Sequence, residues 1–251
     1  MNWQPKKATG TEGSTATEEV PKVRDLFTSD NLKKFDKQWI EKKDVAFFRG
    51  TATGGGVTAD TNQRLKVAVL SEEWKDDPRY AGYLDAKIVG WNFRDKKMSG
   101  KQMTYIRKSN FPFTVTAANF TPIYEQSSYK YLLYIEGHCA ACRYGFMMVL
   151  GSVILKVESR CVADQLWYFP LLEPYYDHVP VKADLSDLAE QIEWCRTHDE
   201  ECKQIAKRAR EIHDRFLSKE GILDYMQVLF CHRTCTRTFF IEHVVFHELL
   251  N

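Results

Sequence analysis

No apolar run in this 251-residue chain approaches the ~20 residues of a helical membrane span. An excess of either charge is missing too: 35 Lys and Arg face 34 Asp and Glu, for a net charge of +1. That balance leaves no bulk electrostatic case for nucleic acid. The opening stretch, MNWQPKKATGTEGSTATEEVPK, has no apolar centre and is not expected to act as a secretory signal. Seven cysteines, an odd number without an export signal, read as mostly reduced thiols, so a cytoplasmic setting is expected. A Gly triplet, Gly54-Gly55-Gly56, is followed by no Gly-Lys-Ser/Thr, which excludes a phosphate loop of the nucleotide-triphosphatase type.

With 44 % hydrophobic residues, the composition is that of a globular protein. The length accommodates one large domain or a domain and a half. Residues 1–21, rich in Thr, Gly, Ser, Lys and Glu, bury almost nothing and are expected to be a disordered tail. The densest pattern runs from Tyr129 to Glu158. Tyr131–Ile135 is a continuous apolar and aromatic run, as in a strand buried on both faces. Gly137 ends it, Ala140–Leu150 has helical composition, Gly151 stops that helix, and Ser152–Val157 is a second β-rich run. Such a unit is right-handed and parallel, with ligands beyond the carboxyl end of its first strand. There the sequence reads Gly137-His138-Cys139-Ala140-Ala141-Cys142-Arg143. A guanidinium beside free helix N–H groups suits a phosphate or diphosphate. By itself Arg143 reads equally as a solvated helix residue.

The same order occurs earlier. Ser29 or Asp30 is placed to cap a helix reaching about Lys43, with Leu32, Phe35, Trp39 and Ile40 on one face. Val45–Phe48 reads as a short strand ending in Arg49-Gly50-Thr51. A flexible Gly-rich loop, Ala52–Val57, comes next. A helix is expected over Asp60–Trp74, with Leu65, Val69 and Trp74 facing the core. Two strand ends, each with an arginine, would converge on one anion. Asp85–Trp91 is another strand. Phe93–Ala118 is basic (Arg94, Lys96, Lys97, Lys101, Arg107, Lys108) but interleaved with Ser, Gly and Met, and reads as a solvated loop with irregular helix. Val179–Val181 closes the strand series. Helical stripes come after it at Leu185, Leu188, Ile192 and Cys195, then at Cys202, Ile205, Ala206 and Ala209. Leu223–Phe230 extends a further helix.

These residues carry a family resemblance. Trp39, Lys42-Lys43 and Ala46-Phe47-Phe48-Arg49-Gly50 resemble the Trp, Lys and Phe-Arg-Gly element of the CAP-type (capsule-associated protein, CAP10-like) glycosyltransferases. That family includes the Rumi-type protein O-glucosyltransferases and O-xylosyltransferases. Tyr129-Lys130-Tyr131-Leu132 with Gly137 and Arg143 resembles its central strand and turn. Gly151-Ser152-Val153 resembles its next strand start. Leu172, Pro174, Val179-Pro180-Val181 and Asp184–Leu188 resemble its closing segment. The match runs over about residues 24–230.

The resemblance implies an α/β fold: a Rossmann-like, mostly parallel sheet flanked by helices, like the C-terminal half of a GT-B glycosyltransferase. It places that domain at 22–230 and leaves 231–251 as a tail of unknown role. It implies a UDP-sugar donor, of the UDP-glucose or UDP-xylose type, and a hydroxyl-bearing protein or glycan acceptor. It implies transfer with inversion and no metal cofactor. Arg49 and Arg143 would hold the diphosphate, with Gly50, Thr51, Gly137, His138 and Cys142 around the nucleotide sugar. The family's catalytic carboxylate lies farther upstream of the Trp-Lys-Lys element than this chain extends, so no catalytic base is assigned. Asp25 in Val23-Arg24-Asp25 fits better as the start of a helix. A partner chain would then supply the N-terminal half. The alternative is a non-catalytic relic or interaction module that keeps the donor-domain fold.

Two constellations stand apart from that reading. Cys139-Ala140-Ala141-Cys142 has redox spacing at a helix start. Cys231, His232 and Cys235 with His243 and His247 offer metal-ligand types, but the spacing fits no standard zinc finger, and a surface pair is the simpler reading.

Overall fold

The computed structural model describes residues 36–139, 141–161 and 165–235, together with Asp30, Lys33 and Lys34. The expected tail at 1–21, the stripe positions Leu32 and Phe35, and His243 and His247 lie outside the described residues, as do the side chains of 231–235.

Five strands form one sheet: β1 (Lys43–Ala52), β2 (Leu84–Trp91), β3 (Tyr129–Tyr134), β4 (Val153–Val157) and β5 (Val179–Val181). They lie in the order β2-β1-β3-β4-β5, and every neighbouring pair is parallel. The α/β sheet expected from the sequence is therefore present, with Tyr131–Ile135 interior and buried. The helices that accompany it are α1 (Gln63–Glu73), α2 (Arg143–Met148), α3 (Leu188–Thr197), α4 (Asp199–Ile212) and α5 (Lys219–Cys235).

Apolar residues on both faces of the sheet explain why it is buried twice. Ala46, Phe48 and Ala52 of β1 point to one face with Tyr131, Leu133, Val153 and Leu155, under Leu65, Val67 and Ala68 of α1 and Ile192 of α3. Phe47, Leu132, Tyr134 and Ile154 point to the other, under Tyr144, Phe146, Met147 and Met148 of α2. Topology dictates this split. From β1 the chain moves outward to β2, whereas from β3 it moves the opposite way to β4. Right-handed crossovers then place α1 and α2 on opposite faces.

Several expected boundaries shift, with consequences for the site. β1 is ten residues long, so Arg49, Gly50 and Thr51 lie inside the strand and not in a turn after it. The helix expected to reach Lys43 stops earlier. Asp30, Lys33 and Lys34 are helical, but 36–38 are not, and Trp39–Glu41 is a separate 3-10 turn with Ile40 exposed. Side-chain contacts explain the change: Trp39 Nε1 donates to Asp199 Oδ2 at 2.9 Å, and Lys42 Nζ reaches the oxygens of Ser127, Leu150 and Ser152. Those contacts hold this segment in place without a helical stripe. The helix expected over Ala140–Leu150 is shortened to six residues. α1 starts at Gln63 because Asn62 caps it, its Oδ1 accepting from Arg64 N and Leu65 N at 3.1 and 3.2 Å. The core of α1 is Leu65, Val67 and Ala68. Val69 and Trp74 are only partly buried.

Candidate functional site

The order β2-β1-β3-β4-β5 has its topological switch point between β1 and β3. In open parallel sheets the ligand crevice opens there, at the carboxyl ends of the two strands. Here that edge is built from the Gly-rich loop after β1 and the Gly137–Cys142 turn after β3.

Arg64, in the first turn of α1, occupies the centre and is only 5 % exposed. Its guanidinium donates to Ile135 O through Nη2 at 2.8 Å and Nε at 3.2 Å. Nη1 reaches Thr53 Oγ1 at 2.8 Å and Thr51 O at 3.2 Å. One side chain thus ties the exits of β1 and β3 together. Burial, reinforced by the like charge of Arg143, pulls Arg64 down to about 9, so it stays cationic at neutral pH.

Arg143 enters from the opposite face as the first residue of α2, and its Nη1 donates to Arg49 O at 2.6 Å. Burial lowers its pKa as well. Among the described residues neither guanidinium has a carboxylate within ion-pair distance. Two cations held this close, each in the first turn of a helix, oppose both mutual repulsion and the helix dipole. An anion between them would relieve both costs.

Arg49 is engaged elsewhere. It lies on the Phe47 face of β1, with its guanidinium over the Phe47 ring at 4.2 Å. It is ion-paired to Asp85 Oδ2 at 2.9 Å and donates to Asp85 O and Phe48 O, both at 2.9 Å. Asp85 stands opposite Phe47 in the register, so the Arg49 side chain runs back along the strand. The structure therefore joins Arg143 to the backbone of Arg49, and the second guanidinium of the switch point is that of Arg64.

The other expected residues gather at this edge. Gly137 is packed so tightly that a Cβ would lie 2.7 Å from Thr53 Oγ1 and 3.2 Å from Arg64 Nη2. Gly50 leaves room for the Phe48 ring, 2.7 Å from a Cβ placed there. Thr51 contributes its carbonyl oxygen to Arg64. His138 Nδ1 accepts from Gly54 N at 3.1 Å, so the ring proton sits on Nε2. That Nε2 is buried and has no hydrogen-bond partner among the described residues. Burial, followed by the nearby Arg94 charge, lowers the His138 pKa and keeps the ring neutral. Cys139 and Cys142 are free, exposed thiols at the lip, and Cys142 precedes α2 without a side-chain capping bond.

The Gly-rich loop, expected to be merely flexible, is tied at three points: Gly54 N to His138, Gly56 N to Asp95 Oδ1 at 2.7 Å, and Gly56 O from Asn62 Nδ2 at 3.0 Å. Burial opposes ionisation of Asp95, but bonds from Gly56 N–H and the Thr104 hydroxyl outweigh it and hold the carboxyl below its usual range. Gly54 and Gly56 have φ of +131° and +94°, in the region that favours glycine. Gly55 has open space around it. The buried carboxylate just beyond β3 is Glu136, which accepts from Ser159 Oγ at 2.5 Å.

Reading the sequence by strand ends passes over Arg64, Thr53 and Asp95. A signal for Arg64 is present in it: an arginine two residues after a capping asparagine sits where a cation is disfavoured unless something anionic is bound.

Fold and site together define a doubly wound α/β protein with a cationic, glycine-lined crevice at its switch point. The profile of glycosyl transferase family 90 matches residues 16–234. The chain belongs to that family. It is 38 % identical over 218 residues to Uncharacterized protein 179R of Invertebrate iridescent virus 6, a match covering 83 % of this chain and 18 % of the viral protein. It is 32 % identical over 172 residues to human Protein O-glucosyltransferase 3, covering 68 % of this chain and 28 % of the human protein. The chain thus spans less than a third of the length of either. The crystal structure of Anabaena HepE in complex with UDP-glucose aligns with a TM-score of 0.42 at 13 % identity, over 75 % of this chain and 49 % of that one. No helix among the described residues is long and apolar enough to cross a membrane.

Proposed function

We propose that this chain is the donor-binding part of a glycosyltransferase, a C-terminal GT-B-type half, which holds a UDP-sugar at the β1–β3 switch point for transfer to a hydroxyl acceptor with inversion. The observation that carries the reading is the pair Arg64 and Arg143, held at the strand exits without a carboxylate partner among the described residues. A diphosphate placed between them would meet two guanidiniums that are cationic at neutral pH. The same cations would neutralise charge on the departing UDP, so the proposal needs no metal. His138, with a proton on Nε2, is a neutral donor for a sugar hydroxyl or phosphate oxygen.

The donor sugar is of the glucose or xylose type in this proposal, in line with the O-glucosyltransferase name of the human relative. The acceptor is a hydroxyl-bearing protein or glycan. Direct displacement requires a carboxylate to take the acceptor proton. Asp85 is paired with Arg49 towards the amino end of β2, and at the crevice Asp95 holds the Gly-rich loop and Glu136 accepts from Ser159. The proposal therefore assigns the base to an N-terminal half on a partner chain or on further sequence, in a cytoplasmic setting.

Calorimetric titration with UDP, UDP-glucose and UDP-xylose tests it. Binding at about micromolar Kd, worth about −8 kcal/mol, is expected. Arg143→Ala should abolish it, whereas Arg196→Ala, at the opposite, amino-terminal edge of the sheet, should not. A well-folded protein that binds none of the three would sink the reading.

A further inference from the structure

After β2 the chain forms a small hairpin that stands beside the crevice. Arg94 bridges Tyr105 in antiparallel fashion, with Asp95 N donating to Thr104 O at 2.9 Å and Ile106 N to Phe93 O at 2.7 Å. The hairpin is joined to the crevice through Asp95, which accepts from Gly56 N, and through Arg94, whose charge acts on His138. Residues 92–116 contain six basic residues and a single acidic one, in a chain whose net charge is only +1.

These cations are largely solvated. Arg94, Lys97, Lys101 and Arg107 are exposed, and none has a carboxylate partner among the described residues. Elsewhere some surface cations are matched within the chain, Lys75 with Glu72, Arg79 with Asp77, Lys203 with Glu200 and Lys207 with Glu211, while others such as Lys37 and Lys182 have no such match among the described residues, so the hairpin is distinguished by its density of one sign of charge. At the base of the hairpin, Trp91 and Phe93 stack at 6.0 Å and 9°, and Lys108 Nζ lies 6.0 Å and 5.1 Å from their ring centres. Phe93 and Tyr105 stand 42 % and 63 % exposed beside these cations, but a chain of net charge +1 lacks the bulk positive field that nucleic-acid binding draws on. A dense, solvated patch of positive charge is what this surface offers for recognition.

We infer that this hairpin surface docks the acceptor, and that the acceptor it fits is an acidic polypeptide segment carrying the hydroxyl to be glycosylated. The inference rests on the glycosyltransferase reading above for the word acceptor, and on the hairpin's own charge for the word acidic. Exposed complementary charges at the rim of a site act on encounter and register, so the interaction should weaken steeply with salt.

The test is fluorescence anisotropy with a labelled Glu/Ser peptide, its Gln/Ser analogue, and a single-stranded oligouridine. Wild type is compared with the triple variant Lys97→Gln, Lys101→Gln, Arg107→Gln, whose sites are exposed and outside the donor crevice. The Glu/Ser peptide should bind about tenfold or more tighter than the Gln/Ser peptide at low salt, and the triple variant should lose that preference. Equal binding of the two peptides, an unchanged preference in the variant, or tighter binding of the oligouridine would each overturn the inference. UDP titration of the same preparations separates the two readings. Lost UDP binding with the peptide preference intact removes the donor site and leaves the acidic-segment surface standing.

Discussion

Replacing Gly137 by Ala tests the construction of the crevice most directly. The backbone at Gly137 is not in the left-handed region, so the cost of a methyl there is a matter of space alone. The new Cβ would stand 2.7 Å from Thr53 Oγ1 and 3.2 to 3.3 Å from Arg64 Nη2 and Cζ. The first distance is too short to persist. The second yields only if Arg64 slides off Ile135 O, its closest acceptor there. Overpacking of this kind costs about 1–3 kcal/mol. The lost freedom of the unfolded chain returns about 0.4–1 kcal/mol. A net destabilisation of about 1–2 kcal/mol is expected. Thr53→Ala removes the nearest clashing atom and one acceptor of Arg64, and should cost about 1 kcal/mol by itself. In that background Gly137→Ala should cost clearly less, so a double-mutant cycle read by urea unfolding should give a coupling of about 1 kcal/mol or more. Equal costs of Gly137→Ala in the two backgrounds would refute the packing argument. So would a neutral Gly137→Ala in the wild-type chain.

Three further outcomes concern other buried contacts. Lys42 is buried and donates to Ser127 O, Leu150 O and Ser152 Oγ at 2.7, 2.8 and 3.2 Å. Lys42→Met strands two buried carbonyls and should lower stability by about 2–4 kcal/mol even after the ammonium's desolvation is relieved, measured by urea unfolding. Asn62→Ala removes the α1 cap and the bond to Gly56 O, so it should cost about 1–2 kcal/mol and speed amide exchange at Arg64 and Leu65. His138 has its pKa lowered from the ordinary 6.5 by burial, followed by the Arg94 charge. Below that ordinary value the unfolded chain binds a proton that the folded chain resists. Stability should therefore fall as pH drops from about 6.5 towards the depressed folded pKa. His138→Gln should flatten that part of the profile, and an unchanged slope would exclude His138 as its source.

Much of the architecture is legible in the sequence because strand and helix periods are local. The apolar run Tyr131–Ile135, the Gly stops, and the stripes at Leu188, Ile192, Cys195, Cys202, Ile205, Ala206 and Ala209 each report burial by spacing alone, and those residues are buried. Gly137, His138 and Arg143 are legible for the same reason, since a turn after a buried strand in a parallel unit marks the ligand edge. Arg49 reads as a strand end because the β-run Val45–Phe48 meets an arginine. Its side chain is instead satisfied by Asp85 on the neighbouring strand, which lets the strand continue to Ala52.

Local pattern is thus enough to establish that the chain alternates strand and helix around a buried central strand, and that glycines and basic residues come after two of the strands. Which residues converge is settled in three dimensions. Strand order is set by contacts far apart in the chain, and it alone makes the β1–β3 boundary the switch point. Whether an arginine meets a ligand or a carboxylate depends on what the adjacent strand places within its reach. Arg49 reaches back to Asp85, diagonally placed on the neighbouring strand, whereas Arg64 and Arg143 meet backbone oxygens from opposite faces of the sheet. Side-chain partners separated by dozens of residues leave no periodic trace, and the physical chemistry of the crevice is made of such partners.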